Sequence, residues 1–278
     1  MIRIRNLAVP FTERASLEDL AAKRLMLPPQ QIAGVVIVRK AVDARRYHGA
    51  PIQFVYILDA KLEGKKVLQK LRRDRNVEEA PVPQAPAPIP APHLERRPVV
   101  VGFGPAGMFA ALTLARHGCE PLVLERGNDV DTRHEDIERF WRGGALNPQS
   151  NVQFGEGGAG TFSDGKLTTR INDVHMKDVI EAFVAAGAPE EIRYLHKPHI
   201  GTDILREVVR NIRKEIIRLG GTVRFGAQVT DIELGEEGVE AVIVNDEERI
   251  DADVVFFGIG HSARDTYRML LSRGVAME

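Results

Sequence analysis

Gly102-Phe-Gly-Pro-Ala-Gly107 places three glycines directly after the apolar run Val99-Val-Val101, and eighteen residues beyond Gly107 the acid Glu125 closes a second apolar run, Leu122-Val-Leu124. Each residue type matches one need of a site that grips a dinucleotide. Gly102 permits a tight turn, Gly104 lets backbone approach a pyrophosphate, and Gly107 lets a helix lie close on a strand. Pro105 and Ala106 open that helix, whose first N–H groups and partial positive charge face the phosphates. The Glu125 carboxylate suits ribose hydroxyls and repels a 2′-phosphate, which disfavours NADP.

A second stretch, Asn151-Val-Gln-Phe-Gly-Glu-Gly-Gly-Ala-Gly-Thr-Phe-Ser-Asp-Gly-Lys166, carries five glycines between 155 and 165. That density rules out a helix interior or a packed strand. It suits a loop whose backbone donors approach an anionic or planar ligand. Phe154 and Phe162 flank the glycines and argue against a loop left in water. His196 and His199 have an HxxH spacing without a third ligand nearby, so no metal centre is expected. The single cysteine, Cys119, leaves no CxxC and excludes a dithiol relay within this chain.

The elements that must position these residues are legible around them. A strand over 98–101, a helix over 105–117 ended by Gly118, and a strand over 122–124 form a βαβ opening. A polar helix is expected over 130–142, and helices over 174–187 and 203–219, the last capped by Thr202 or Asp203. Three short strands, 222–225, 228–234 and 239–245, lead to 252–260, read as a fully buried parallel strand ending at a glycine turn on the ligand side of the sheet.

Upstream, six prolines in the twelve positions 81–92, interleaved with alanine, mark an extended spacer. Before it the pattern is β-α-β-β-α: a strand over 2–9, a helix opened by Ser16 with Asp19 three residues on, strands over 32–44 and 51–62, and a basic helix over 65–75. This predicts a small α+β, ferredoxin-like domain over 1–78, a linker over 79–97 and a Rossmann-like domain over 98–278. The whole is α/β: a parallel sheet with a β-meander, preceded by the smaller domain.

Residues 1–80 hold 16 Lys and Arg against 9 Asp and Glu, whereas 81–278 hold 22 against 30. Opposite signs favour docking of the two halves, with an anionic partner of the first half as the rival reading. Arg39, Lys40, Arg45 and Arg46 make that rival concrete, as a site for RNA, phosphate or an acidic patch. No apolar leader or membrane span is legible, and a cytoplasmic setting is expected.

From Pro98 to Arg264 the sequence resembles FAD-dependent oxidoreductases of the two-dinucleotide-fold superfamily, in their glutathione-reductase-like group. Gly102–Gly107 with Glu125, Arg126 and Gly127 is similar to the FAD pyrophosphate and adenosine-ribose site. Val229 stands where that group holds adenine by backbone contacts, and Asp253–Gly260, with Gly258 and Gly260, is similar to the strand that passes the adenosine end. A closer resemblance is to a bacterial group of uncharacterised FAD-dependent dehydrogenases. It rests on Arg39–Arg45 and on the loop Gly155–Lys166.

The resemblance implies FAD as cofactor, held by the residues above together with Arg133, Gly157, Gly158, Thr161, Phe162, Ser163, Asp164 and Lys166. It implies an oxidoreductase acting on an unidentified small molecule, with catalytic residues unknown. The rival functions are a flavoprotein linked to RNA modification and an FAD- or ADP-binding fragment without turnover. No second GxGxxG is present, so NAD(P)H is expected only as a transient reductant. Members of the group continue well past position 278, so the chain is expected to be an N-terminal portion.

Overall fold

The computed structural model describes residues 1–45, 51–63, 74–82, 90, 94–162, 165–167, 173–236 and 238–277. The chain divides into two units. The first comprises Met1–Pro86 with Leu167–Lys177 and Glu190–Pro198; the second comprises Ala87–Lys166, Asp178–Pro189 and His199–Glu278.

In the first unit, strands β1 (Ile2–Pro10), β2 (Ile32–Asp43), β3 (Gln53–Leu62) and β4 (Val77–Glu79) form an antiparallel sheet in the order β2-β3-β1-β4. Helix α1 (Leu17–Leu25) begins at Ser16, whose hydroxyl accepts the Asp19 N–H at 3.0 Å, as the capping pattern predicts. Its Ala21, Ala22 and Leu25 pack with Ile4 and Leu58 in one core. The alternation of β1 breaks at Asn6, which has φ 54°. The register shift between Ile4 and Leu7 turns Leu7 and Val9 inward, so buried residues are not spaced strictly by two. Most of the basic helix expected over 65–75 and most of the proline spacer lie outside the described residues. The ferredoxin-like expectation turns on that helix.

In the second unit, β5 (Val99–Val101), β6 (Leu122–Leu124), β7 (Thr222–Arg224) and β11 (Val255–Phe257) form a parallel sheet in the order β11-β5-β6-β7. The chain runs outward from β5 through helix α2 (Pro105–Arg116) to β6 and β7, then returns to the opposite side of β5 as β11. Strand order therefore reverses between β5 and β11, and in open α/β sheets ligands bind outside the carboxyl ends of strands at such a point. The excursion contains a meander of β8 (Val229–Leu234), β9 (Val239–Val244) and β10 (Glu248–Asp251). Helices α3 (Val130–Trp141), α4 (Met176–Ala185), α5 (Thr202–Arg218) and α6 (Arg264–Ser272) complete the order. Val99, Val101 and Leu124 share a core with Val229, Ile232, Val242 and Leu270.

Two expectations are corrected. Strand β11 is an edge of its sheet and not fully buried: only β5 flanks it among the described residues, and Phe256 is 41% exposed. Helix α5 has neither Thr202 nor Asp203 as its cap. Gly201, at φ 86°, occupies the N-cap without a side-chain bond, and Asp203 instead pairs with Arg206 at 3.0 Å. Among the described residues no helix is long and apolar enough to cross a membrane.

Candidate functional site

The glycine turn is held by backbone packing that only glycine allows. A Cβ on Gly107 would stand 1.9 Å from the Gly102 carbonyl oxygen, so α2 rests directly on the turn. Gly102 itself has φ 91°, and its Cβ would lie 2.7 Å from the carbonyl oxygen of Gly258, just beyond β11. Gly104 differs from both. It is the N-cap of α2, with extended backbone and no side-chain cap, and the nearest atom to an added Cβ is 3.7 Å away. Its lack of a side chain keeps a cleft open.

That cleft is lined by Gly102, Gly104, Pro105, Ala106, Glu125, Arg126, Gly158, Val229, Gly258 and Gly260, ten of the residues expected to hold a cofactor. Gly107 supports it from behind. Gln153, Phe154, Gly155, Ala159, His261, Ser262 and Thr266 line it as well and are not among the residues that the sequence offers as cofactor ligands. Ser262 donates its hydroxyl hydrogen to Gln153 Oε1 at 3.1 Å, joining the segment after β11 to the glycine loop. The signal for Gln153 and Phe154 was their place at the start of that loop; for His261 and Ser262 it was the glycine before them.

Glu125 is 4% exposed, and its carboxylate is already engaged. Oε2 accepts the Phe103 N–H at 2.6 Å, while Oε1 accepts the N–H groups of Gly127 at 2.8 Å and Gly155 at 3.1 Å. A carboxylate offers about four lone-pair sites, so one remains for a hydroxyl in the cleft. Beside it, Arg126 lies over the Phe154 ring with its guanidinium carbon 4.6 Å from the centroid, and donates to Asp265 at 2.7 Å.

Several expected residues stand elsewhere. Arg133 does not reach the cleft: it is fully buried and donates to the carbonyls of Asn151, Val152, Gly155, Glu156 and Gly158. It clamps the glycine loop. Burial holds its guanidinium down to about 10, against the opposing pull of Glu125 and Glu156. Phe162 covers this clamp, 4.7 Å from the Arg133 guanidinium carbon. Gly157 and Thr161 pack on each other beneath the loop, a Cβ at 157 lying 2.1 Å from Thr161 Oγ1. Lys166 forms an isolated antiparallel bridge with His199 and does not line the cleft. Ser163 and Asp164 lie outside the described residues. His196 sits beside Arg39 in the first unit, with Nδ1 at 2.6 Å from Nη2. Among the described residues no cluster of His, Cys, Asp or Glu is arranged to hold a metal.

The donor set fits an adenosine diphosphate group. An uncapped helix start supplies N–H donors for phosphate oxygens, Glu125 retains one acceptor site for a ribose hydroxyl, and Ala227 with Val229 supplies apolar wall for a base. Gly104→Val should therefore separate binding from folding. Its extended backbone accepts any residue and an added Cβ meets only Gly158 Cα, at an ordinary contact distance of 3.7 Å, so the melting temperature should hold. The branched side chain would stand where the pyrophosphate approaches, and ADP affinity should fall by more than about tenfold. Calorimetric titration beside a melting curve checks both; unchanged affinity would place the phosphates elsewhere.

Comparison with known proteins shows the family of the second half of the chain. Residues 97–255 match the family described as FAD binding domain, and residues 1–61 match a family described as a domain of unknown function. An uncharacterised protein of Clostridium beijerinckii is 43% identical over 279 residues, a match covering 100% of this chain and 52% of the relative. The chain thus spans about half the length of that curated relative. Among solved structures, THI4 of Thermovibrio ammonificans is similar at a TM-score of 0.43 and 18% identity, over 64% of this chain and 63% of that one. A glycine oxidase from Bacillus cereus is similar at 0.41 and 12% identity, over 64% and 58% of the two chains.

Proposed function

The chain belongs to the FAD binding domain family, and we propose that its cleft grips the adenosine diphosphate half of FAD within an FAD-dependent oxidoreductase that acts on a small molecule. One observation carries this reading. The uncapped start of α2, the open side of Gly104 and the Glu125 carboxylate face a single cleft at the point where strand order reverses. FAD supplies a two-electron acceptor when bound. The chain's own residues orient it. The α2 N–H groups hold the phosphates, Glu125 fixes the ribose, and the Arg133 clamp keeps the loop that forms the opposite wall in shape.

A carboxylate at the ribose disfavours a 2′-phosphate. The test of activity is anaerobic: the FAD-loaded protein is mixed with NADH or NADPH and then with candidate small molecules. Loss of the flavin's long-wavelength absorption on reduction, and its return with one substrate class, is the expected result. A bound flavin that no reductant bleaches would leave a carrier or structural role.

A further inference from the structure

Glu156 is fully buried in the wall of glycine-rich backbone behind the cleft, between Gly155 and Gly158, which line it. Oε2 accepts the Val130 N–H at 2.7 Å, so the carboxyl ties the loop to the start of α3. Oε1 has no hydrogen-bond partner among the described residues. Arg213 Nε of α5 lies 3.2 Å from Oε1 but outside hydrogen-bond geometry, and its guanidinium carbon sits 5.3 Å from the centre of the Phe225 ring. The buried Thr161 hydroxyl, also without a partner among the described residues, lies against Gly157, which in turn abuts Val209 one turn of α5 before Arg213. A carboxyl and a hydroxyl are thus both left short of partners under one loop. An ionised carboxylate there would be poorly solvated, whereas a neutral one carries its own donor.

We propose that Glu156 is a positioning residue for the nucleotide cleft: its neutral carboxyl lets the glycine loop seat, and the loop loosens when the proton leaves to solvent. The proposal rests on the FAD reading above. The charged groups around Glu156 are Arg213 and Arg210 from α5, Asp129 and Asp131 at the start of α3, and Arg133 from its first turn. Burial acts most strongly and, with the two aspartates, outweighs Arg213 and the Val130 bond, so the carboxyl is pushed up to about 7 from its usual 4.5. A value raised in the seated state means that the seated loop binds more protons than the loosened one. Its advantage is complete below about 4.5 and is progressively lost between there and about 7.

FAD affinity, read from quenching of flavin emission, should therefore fall by about tenfold or more between pH 5 and 7. Glu156→Gln keeps an acceptor for Val130 and cannot ionise, so its affinity should stay flat across that range. Arg213→Met removes the cation that favours ionisation and should carry the fall to higher pH. A purely structural role moves neither profile. Wild-type binding that is flat with pH, or a Glu156→Gln profile that keeps the wild-type slope, overturns the proposal. If FAD binds at no pH, the FAD reading fails by itself. The pH dependence of the melting temperature then tests the neutral carboxyl that the proposal requires: a wild-type fall from pH 5 to 7 that Glu156→Gln lacks supports it, and equal slopes overturn the proposal.

Discussion

Replacing Arg133 with methionine is expected to destabilise the protein by about 3 kcal/mol or more. One guanidinium, with no exposed surface, supplies donors to five carbonyls spread over Asn151–Gly158. A buried polar group stripped of its partner costs roughly 1–3 kcal/mol, and several would be stripped together. Methionine fills much of the volume but donates nothing. The substitution also removes the cation that faces the Glu125 carboxylate. Lysine should rescue little, because three donors on one nitrogen cannot reproduce a planar fork that reaches five oxygens. For a chain of this size the midpoint should drop by about 6–12 °C. Nucleotide affinity should fall with it, since the clamped loop forms one wall of the cleft. Denaturation curves of the two variants check this. Wild-type stability in either would show that the loop holds its shape without the clamp.

Glu125→Ala is expected to cost both folding and binding. Without the carboxylate, the N–H groups of Phe103, Gly127 and Gly155 lose their acceptor, a penalty of about 3 kcal/mol or more. The ribose loses its anchor at the same time. Glu125→Gln distinguishes this double duty from a ribose contact alone. An amide presents one oxygen and one NH2, so either the Phe103 N–H or the Gly127 and Gly155 pair would face a donor. Glutamine should therefore be nearly as damaging as alanine. A glutamine variant of full stability and only mildly weakened affinity would reduce Glu125 to a ribose ligand.

How much of this was legible in the sequence depends on how local each feature is. Residues 98–125 were readable because strand, turn, helix and acid follow one another in the order that the βαβ geometry requires. For Glu125 the sequence suggests a ribose ligand, but its three backbone partners are hidden there, because Gly155 arrives from thirty residues away. Arg133 shows the converse. The resemblance puts this cation among the residues that hold the cofactor, and only the folded loop reveals that every guanidinium nitrogen donates to a loop carbonyl. Gly157 and Thr161 likewise look like ligand-facing loop residues until packing turns them inward. The hairpin joining β9 to β10 carried an overlooked signal in Asn245 and Asp246, which adopt φ 53° and 62° and tolerate that region better than most residues. The exposure of β11 had no local signal at all, since an edge strand differs from a central one only in what lies beside it.

The most direct test of the account is a calorimetric titration of the 278-residue chain with FAD, ADP and FMN in parallel. Binding of FAD and ADP, with FMN excluded, is the predicted result, because the cleft at the α2 start recognises the adenosine diphosphate half. FMN binding as well as FAD, or neither ADP nor FAD binding at all, would contradict it.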